Sequence, residues 1–177
     1  MKNLRTFEIP FVGLKQGTHQ FEHHVDDAFF ETFEYAEFNS ADLQVTTMLE
    51  KKSTLLEFGF QVSGTVNVNC DLTNEPFDLP IEGSLKLIVK FGEEFNDEND
   101  EILIIPHGEH KVQVAQYIYE MIVLSTPTKR VHPGIADGTL KSELLEKLEE
   151  LQPKEVQDDT EETDPRWDTL KKLLTDK

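Results

Sequence analysis

Six histidines are the first side chains that could do chemistry, because imidazole is a common metal ligand. Three of them, His19, His23 and His24, lie in one short segment. On an extended strand His19 and His23 share a face, but four residues at about 3.3 Å each place them too far apart for one ion. His24 would point to the opposite face. We therefore expect no metal at this group.

A second group, His107, Glu109 and His110, has spacing that could suit a metal but falls in a turn between two predicted elements. Cys70 is the only cysteine, so no intrachain disulfide can form, and no family signature supplies it with a base. Phosphate-binding loops, dinucleotide fingerprints and nucleophile elbows are all missing from the sequence. We expect a protein that is not an enzyme and needs no cofactor or metal.

Acidic residues outnumber basic ones by 35 to 17, which gives a formal net charge of -18. Such a field repels phosphate backbones and attracts basic surfaces, so a basic protein is the expected partner. The alternative is that the charge only keeps the protein soluble. The first residues have no uninterrupted apolar run, so we expect no signal peptide, and no apolar run approaches the roughly 18 residues of a membrane span. A cytoplasmic location is therefore expected.

The first two thirds of the sequence favour an α+β fold in which one antiparallel sheet, with a barrel as an option, carries flanking helices. Residues 4–11 predict an edge strand, because Pro10 cannot donate to a ladder, and 17–25 predict a second strand. Period-two alternation predicts further strands at 43–49, 56–68 and 79–91, with a break at 63–65. Residues 102–105 predict a short buried strand. Apolar stripes predict helices near Asp26–Phe38, with Asp26 as the cap, and near Lys111–Leu124.

Two acidic segments differ from this pattern. Residues 92–101 contain six acids in ten positions and predict a solvated loop. After Pro127 the sequence changes character, so we expect a core domain at 1–127 and an acidic linker with a helical tail at 128–177. Leucines at helical spacing predict a helix at 140–151, and 153–164 contain too few apolar residues to order themselves.

The last segment, "DPRWDTLKKLL", predicts a short helix that must dock. Asp164 suits the N-cap and Pro165 the first helical position. Trp167, Leu170, Leu173 and Leu174 share one face. Helices shorter than about 12–15 residues are marginal alone in water, so this one is expected either to pack on its own domain or to bind a partner. For partner binding, the predicted residues are Asp164, Pro165, Arg166, Trp167, Leu170 and Leu174.

Three stretches between Val62 and Leu174 resemble the bacterial YceD family. They are "VSGTVNVNCDLTNEPFDLPIEG", "EILII" with the following "VAQYIYEMIVLSTP", and the closing "DPRWDTLKKL". In that family a strand with a glycine and alternating valines leads into a C-x-R-C motif and a phenylalanine turn. The residues that match this signature are Gly64, Val66, Val68, Cys70, Thr73, Pro76 and Phe77.

The sequence departs from the family pattern at its cysteines. Leu72 stands where the motif has arginine, and Thr73 stands where it has the second cysteine. Many relatives carry further cysteines after the proline that ends the helix, and "TPTKRVHPG" has none here. Four thiolates would suit a structural zinc, which a single cysteine cannot hold. Cys70 is therefore expected to be a small buried apolar residue in an ordinary turn.

The resemblance implies a non-enzymatic role in the accumulation of large-subunit ribosomal RNA. The acidity of the chain fits a protein that binds a basic ribosomal protein or a precursor of the large subunit. Direct contact with RNA stays open, for example through Lys129 and Arg130. Two alternatives also stay open: a magnesium-dependent RNA-processing enzyme, and an acidic adaptor without a link to ribosomes.

Overall fold

A computed structural model describes residues 4–99, 101–140 and 143–151 of the chain. The strands are β1 (Glu8–Pro10), β2 (Gly17–Asp26), β3 (Ser40–Lys51), β4 (Leu55–Asn69), β5 (Pro76–Gly92), β6 (Asn96–Asn99), β7 (Ile102–Pro106) and β8 (Lys111–Gln113). The helices are α1 (Asp27–Thr32), α2 (Ala115–Ser125), α3 (Pro133–Ala136) and α4 (Glu143–Leu151), and a 3-10 helix, Leu4–Phe7, precedes β1.

Six strands form one sheet in the order β2-β3-β4-β5-β7-β6, and β1 pairs with β8 in a separate two-stranded ribbon. The predicted α+β class agrees with this architecture, but the sheet is open and does not close into a barrel. It is also not wholly antiparallel, because β7 runs parallel to β5. After β5 the chain returns along the outer edge as β6, and β7 then pairs with both β5 and β6.

The period-two alternation of β3 and β4 places one set of side chains in the core, as the sequence predicts. Leu43, Val45 and Leu49 of β3 are fully buried, and Val62 and Phe58, which lie opposite Val45 and Leu49 on β4, are buried as well. Helix α2 lies close to β5, where a Cβ atom on Gly83 would come within 2.0 Å of the Ser125 hydroxyl oxygen. The glycine therefore allows the helix to approach the sheet.

The helix predicted at Asp26–Phe38 is much shorter than expected. Asp26 does cap it, accepting a hydrogen bond from the Phe29 N–H at 3.3 Å. The helix nevertheless ends at Thr32, and Glu34 adopts a left-handed φ of 54°. Phe33 instead stacks on Tyr119 of α2, with ring centroids 4.4 Å apart. Packing of these aromatic rings on α2 replaces the continued helical turn.

The predicted helix at Lys111–Leu124 is wrong over its first residues, which form β8. This segment pairs with Glu8–Pro10 as an antiparallel strand, so its main-chain hydrogen bonds go to β1. At the end of the ribbon Pro10 lies opposite Lys111. Helix α2 then begins at Ala115, whose N–H donates to the Gln113 side-chain oxygen at 3.1 Å. A short edge ribbon therefore replaces one turn of helix.

Three further predictions need correction. The strand predicted at residues 4–11 is limited to Glu8–Pro10, because Leu4–Phe7 form the 3-10 helix. The predicted break at residues 63–65 does not occur, because β4 continues through Gly64. Part of the acidic segment 92–101, predicted as a loop, forms β6, which pairs with β7. Its polar side chains face solvent, so hydrophobic alternation could not reveal this edge strand.

Residues up to Lys141 belong to one compact unit, and α4 belongs to a second one that starts at Ser142. The position of α4 agrees with the leucine spacing that predicts a helix at 140–151. The domain boundary predicted after residue 127 stays a prediction. Within the part of the chain that the structure describes, no helix is long and apolar enough to cross a membrane.

The Cys70 turn and candidate partner-binding surfaces

The signature residues of β4 lie on the buried face of the sheet. Val66 and Val68 are fully buried, and Gly64 has a left-handed φ of 145°. A Cβ atom at Gly64 would lie 2.3 Å from the carbonyl oxygen of Asp42 and 2.9 Å from the Cα atom of Leu43. Only glycine fits where β4 approaches β3 this closely, which accounts for its place in the signature.

The remaining signature residues form the turn that joins β4 to β5. The Cys70 N–H donates to the Glu75 carbonyl at 2.9 Å, and the Asn74 N–H donates to the Cys70 carbonyl at 2.8 Å. Asn74 has a φ of 59°, which asparagine tolerates better than most residues. Thr73 is buried, and Pro76 then begins β5 directly before the buried Phe77. We call residues 70–75 the Cys70 turn.

The loop after α2 packs against the Cys70 turn through Arg130 and His132. The Asp71 N–H donates to the Arg130 carbonyl at 2.8 Å, and the Arg130 N–H donates to the Asp71 carboxylate at 2.6 Å. The Arg130 guanidinium also lies 3.1 Å from the Glu37 carboxylate. The His132 ring lies edge-on to Phe77, with centroids 5.4 Å apart. Arg130 is thus engaged by two carboxylates, which weakens its candidacy as an RNA contact.

The thiol of Cys70 is a hydrogen-bond acceptor rather than an inert apolar group. It is 2% exposed, and the His132 N–H lies 3.4 Å from its sulfur. Burial by itself raises the pKa of Cys70, but hydrogen bonds from the Thr73 side chain and from the main-chain N–H groups of His132, Leu72 and Thr73 outweigh it. The net result is a pKa below the ordinary cysteine value.

This geometry explains how the turn stays closed with one cysteine. The resemblance implied cysteines at position 73 and in the loop after α2, and these are the segments that meet at the Cys70 sulfur. A threonine hydroxyl and main-chain N–H groups surround the sulfur in this chain. Among the described residues, no three His, Cys, Asp or Glu side chains are grouped closely enough to hold a metal ion.

The histidine groups take part in packing and surface contacts. The His23 ring stacks on Phe7 with centroids 5.2 Å apart, and burial lowers its pKa. His19 contacts the Lys15 carbonyl through Nε2 at 2.8 Å, while His24 lies 3.7 Å from the Asp42 carboxylate. His107 stacks on Phe91. No two of these contacts converge on a shared site.

The solvent-facing side of strands β2 to β5 is strongly acidic. The strand register places its carboxylates on one face: Glu22, Asp42, Glu50, Glu57, Asp78 and Glu82. We call these residues the acidic sheet face. Lys52 pairs with Glu57 at 2.5 Å, and the register of β5 places Lys86 and Lys90 on the same face. The face therefore carries an excess of negative charge toward solvent.

A groove of about 470 Å³ lies beside the β1–β8 ribbon, and its walls come from β6, β7 and the start of α2. Buried Leu103, Ile105 and Val112 line it, and Phe95, which is 59% exposed, lies at its edge. We call it the Phe95 groove. Sequence reasoning missed it, although one signal was present: Phe95 is the only aromatic residue in the acidic segment 92–101.

The predicted partner-binding residues of the tail lie outside the described residues. Asp164, Arg166, Trp167 and the leucines of that segment therefore stay predictions. The structure does bring the other predicted set together, since the signature residues Gly64 to Phe77 form one strand, one turn and the start of the next strand.

The comparisons with known proteins give one match. The family model described as "Large ribosomal RNA subunit accumulation protein YceD" matches residues 58–174, about two thirds of the chain. No curated protein and no solved structure matches the chain at a significant level. The matched range includes Gly64, the Cys70 turn, α2 and the terminal segment. The chain therefore belongs to the YceD family.

Proposed function

We propose that this protein promotes the accumulation of large-subunit ribosomal RNA without catalysing a reaction, by binding a basic ribosomal protein or a precursor of the large subunit. The family description supports the ribosome-related role. The observation that supports the binding mode is the acidic sheet face, where carboxylates from four neighbouring strands point to solvent.

Electrostatics favours a basic protein as the partner. Ribosomal proteins are rich in lysine and arginine, and a surface of opposite charge speeds their encounter with this chain. RNA phosphates would be repelled by the same field. An acidic factor can thus shield a basic protein from unrelated RNA until it reaches the nascent subunit. Exposed charges about 8 Å or more apart are screened at physiological salt, so the attraction must weaken as salt rises.

The test has a cellular and a biochemical part. Cells depleted of this protein should show a lower ratio of large- to small-subunit ribosomal RNA, with the small-subunit RNA unchanged. The tagged protein should capture a ribosomal protein at low salt and lose it progressively at higher salt. An unchanged RNA ratio after confirmed depletion would refute the proposed role. Capture that persists in high salt would indicate an apolar contact instead of the proposed electrostatic one.

A magnesium-dependent RNA-processing enzyme makes a different prediction. The purified protein would then cleave precursor RNA, and cleavage would require Mg²⁺ and stop on its chelation. We expect no cleavage of precursor RNA, either with Mg²⁺ or after its chelation. Cleavage that copurifies with the protein and is lost on substitution of its own carboxylates would replace the proposal.

A further inference from the structure

We propose that the Phe95 groove binds a cationic segment of a partner protein, in which arginine or lysine residues flank one apolar side chain. This inference rests on the proposed function, since it assigns the contact that a basic partner would make. It adds a place and a chemical pattern: an apolar floor for one side chain, with carboxylates and an exposed aromatic ring around it for the charged ones.

The charges at the groove are unbalanced. Four carboxylates line it, from Glu8, Asp97, Glu109 and Glu120, and Lys111 is the only basic residue among the lining side chains. The Lys111 ammonium is engaged by Glu8 at 2.7 Å. The other carboxylates therefore have no cation in the lining, and a bound arginine or lysine would supply one.

The charges of two of these carboxylates act on the phenol of Tyr117, which also lines the groove. Burial raises the pKa of Tyr117, and the charges of Asp97 and Glu120 raise it further. Asp97 belongs to β6 and Glu120 to α2, so their negative potentials act on the same space. A cation bound in the groove near Tyr117 would be stabilised by both carboxylates.

The apolar part of the groove separates it from the acidic sheet face. Leu103, Ile105 and Val112 line it while keeping only a few per cent of their own surface exposed. Phe95 adds an exposed ring beside Asp97. An aromatic face within about 6 Å of a cation attracts it, and Arg is the commonest partner. A binding segment thus gains apolar contact as well as charge pairing, which the flat sheet face does not offer.

The probe for this site is a short synthetic peptide in which arginine and lysine residues flank a single tryptophan, carrying a fluorescent label. Its anisotropy is measured with the full chain at physiological salt. The double variant Asp97→Asn/Glu120→Gln should bind it roughly tenfold more weakly. The matched control, Glu146→Gln/Glu150→Gln, removes the same charge from exposed positions on α4, which belong neither to the groove lining nor to the acidic sheet face, and should change the affinity less than about twofold.

The apolar contact has its own test. Phe95→Ala should weaken the same peptide severalfold, while Leu124→Ala, at an exposed leucine outside the groove, should not. Replacing the tryptophan of the peptide by serine should abolish the difference between Phe95→Ala and wild type. An equal loss of peptide affinity in the two charge-neutralised double variants would overturn the groove as the site. An unchanged affinity in Phe95→Ala would also overturn it.

Other occupants give distinguishable results. Single-stranded RNA that binds wild type and loses affinity in the Asp97→Asn/Glu120→Gln variant would overturn the proposal in favour of nucleic acid. A dimer seen in sedimentation that dissociates in this variant would assign the groove to a second copy. If tagged wild type and groove variant capture the same ribosomal protein equally, the groove is wrong and the proposed function stands. If the peptide binds the groove but depletion leaves the RNA ratio unchanged, the groove stands as a binding site and the proposed function is wrong.

Discussion

The main-chain N–H of His132 lies 3.4 Å from the sulfur of Cys70, although 62 positions separate the two residues in the chain. This contact joins the loop after α2 to the turn between the two longest strands. The ion pairs of Arg130 with Asp71 and Glu37 support the same junction. The Cys70 turn therefore ties a distant loop to the central sheet through hydrogen bonds and ion pairs.

The hydrogen bonds to Cys70 predict a pH dependence of stability. They hold the folded pKa below the ordinary value of 9.0, so the folded state binds fewer protons at this group between the two values. The stabilisation is complete above the unfolded pKa and is lost as the pH falls through the folded one. The loss of unfolding free energy in Cys70→Ala, measured in reducing buffer, should therefore grow from neutral pH toward pH 9.0. A constant loss across that interval would contradict the lowered pKa.

Adding a single carbon atom at Gly64 should lower the unfolding free energy strongly. Gly64→Ala places a Cβ 2.3 Å from the Asp42 carbonyl oxygen on a residue with a left-handed φ. We expect a loss of at least about 2 kcal/mol of unfolding free energy, measured with urea. Gly59→Ala is the matched control, because it lies on the same strand and a Cβ there meets nothing within 4 Å. Equal losses at both positions would refute the crowding at Gly64.

Removing the hydroxyl of Thr47 should stabilise the protein. Its side chain is fully buried in β3, and its hydroxyl has no hydrogen-bond partner among the residues that the structure describes. Thr47→Val keeps the shape and removes the unsatisfied group, which should raise the unfolding free energy by about 1 kcal/mol. Thr46→Val, on the opposite face of the strand, controls for strand propensity. Destabilisation by Thr47→Val beyond that control would show that the hydroxyl has a partner.

A substitution in the terminal segment should distinguish partner binding from packing on the protein's own domain. If Trp167 binds a partner, Trp167→Ala should leave the melting temperature unchanged and weaken capture of the ribosomal protein. The control is Val156→Ala in the acidic linker, which should alter neither quantity. A fall of several degrees in melting temperature for Trp167→Ala alone would instead show that this residue packs on its own chain.

The sequence predicted the elements whose signal is local. Alternation located β3 and β4 because one face of each strand is buried, and Asp26 was identified as a cap because capping depends on neighbouring residues. The family motifs led to the residues of the Cys70 turn. What they could not give is the partner of that turn, because the contact with His132 depends on tertiary packing.

The missed elements share a physical cause. β6 is polar on both faces, so it carries no periodic signal, and β8 was predicted as helix because its single buried residue, Val112, also fits a helical stripe. The parallel pairing of β5 with β7 depends on the path of the chain and not on composition. The Phe95 groove is built largely from these segments, so it could not be predicted either.

The open sheet has a consequence for aggregation. A sheet that does not close exposes main-chain donors and acceptors along its outer strands, which can pair with another copy. Here one outer strand is β6, whose sequence is "NDEN" and whose pairing with β7 contains a register shift. Its carboxylates repel an identical edge, and its short length leaves little to pair with. The same acidic segment that frames the groove therefore also protects this edge of the sheet against pairing with another copy.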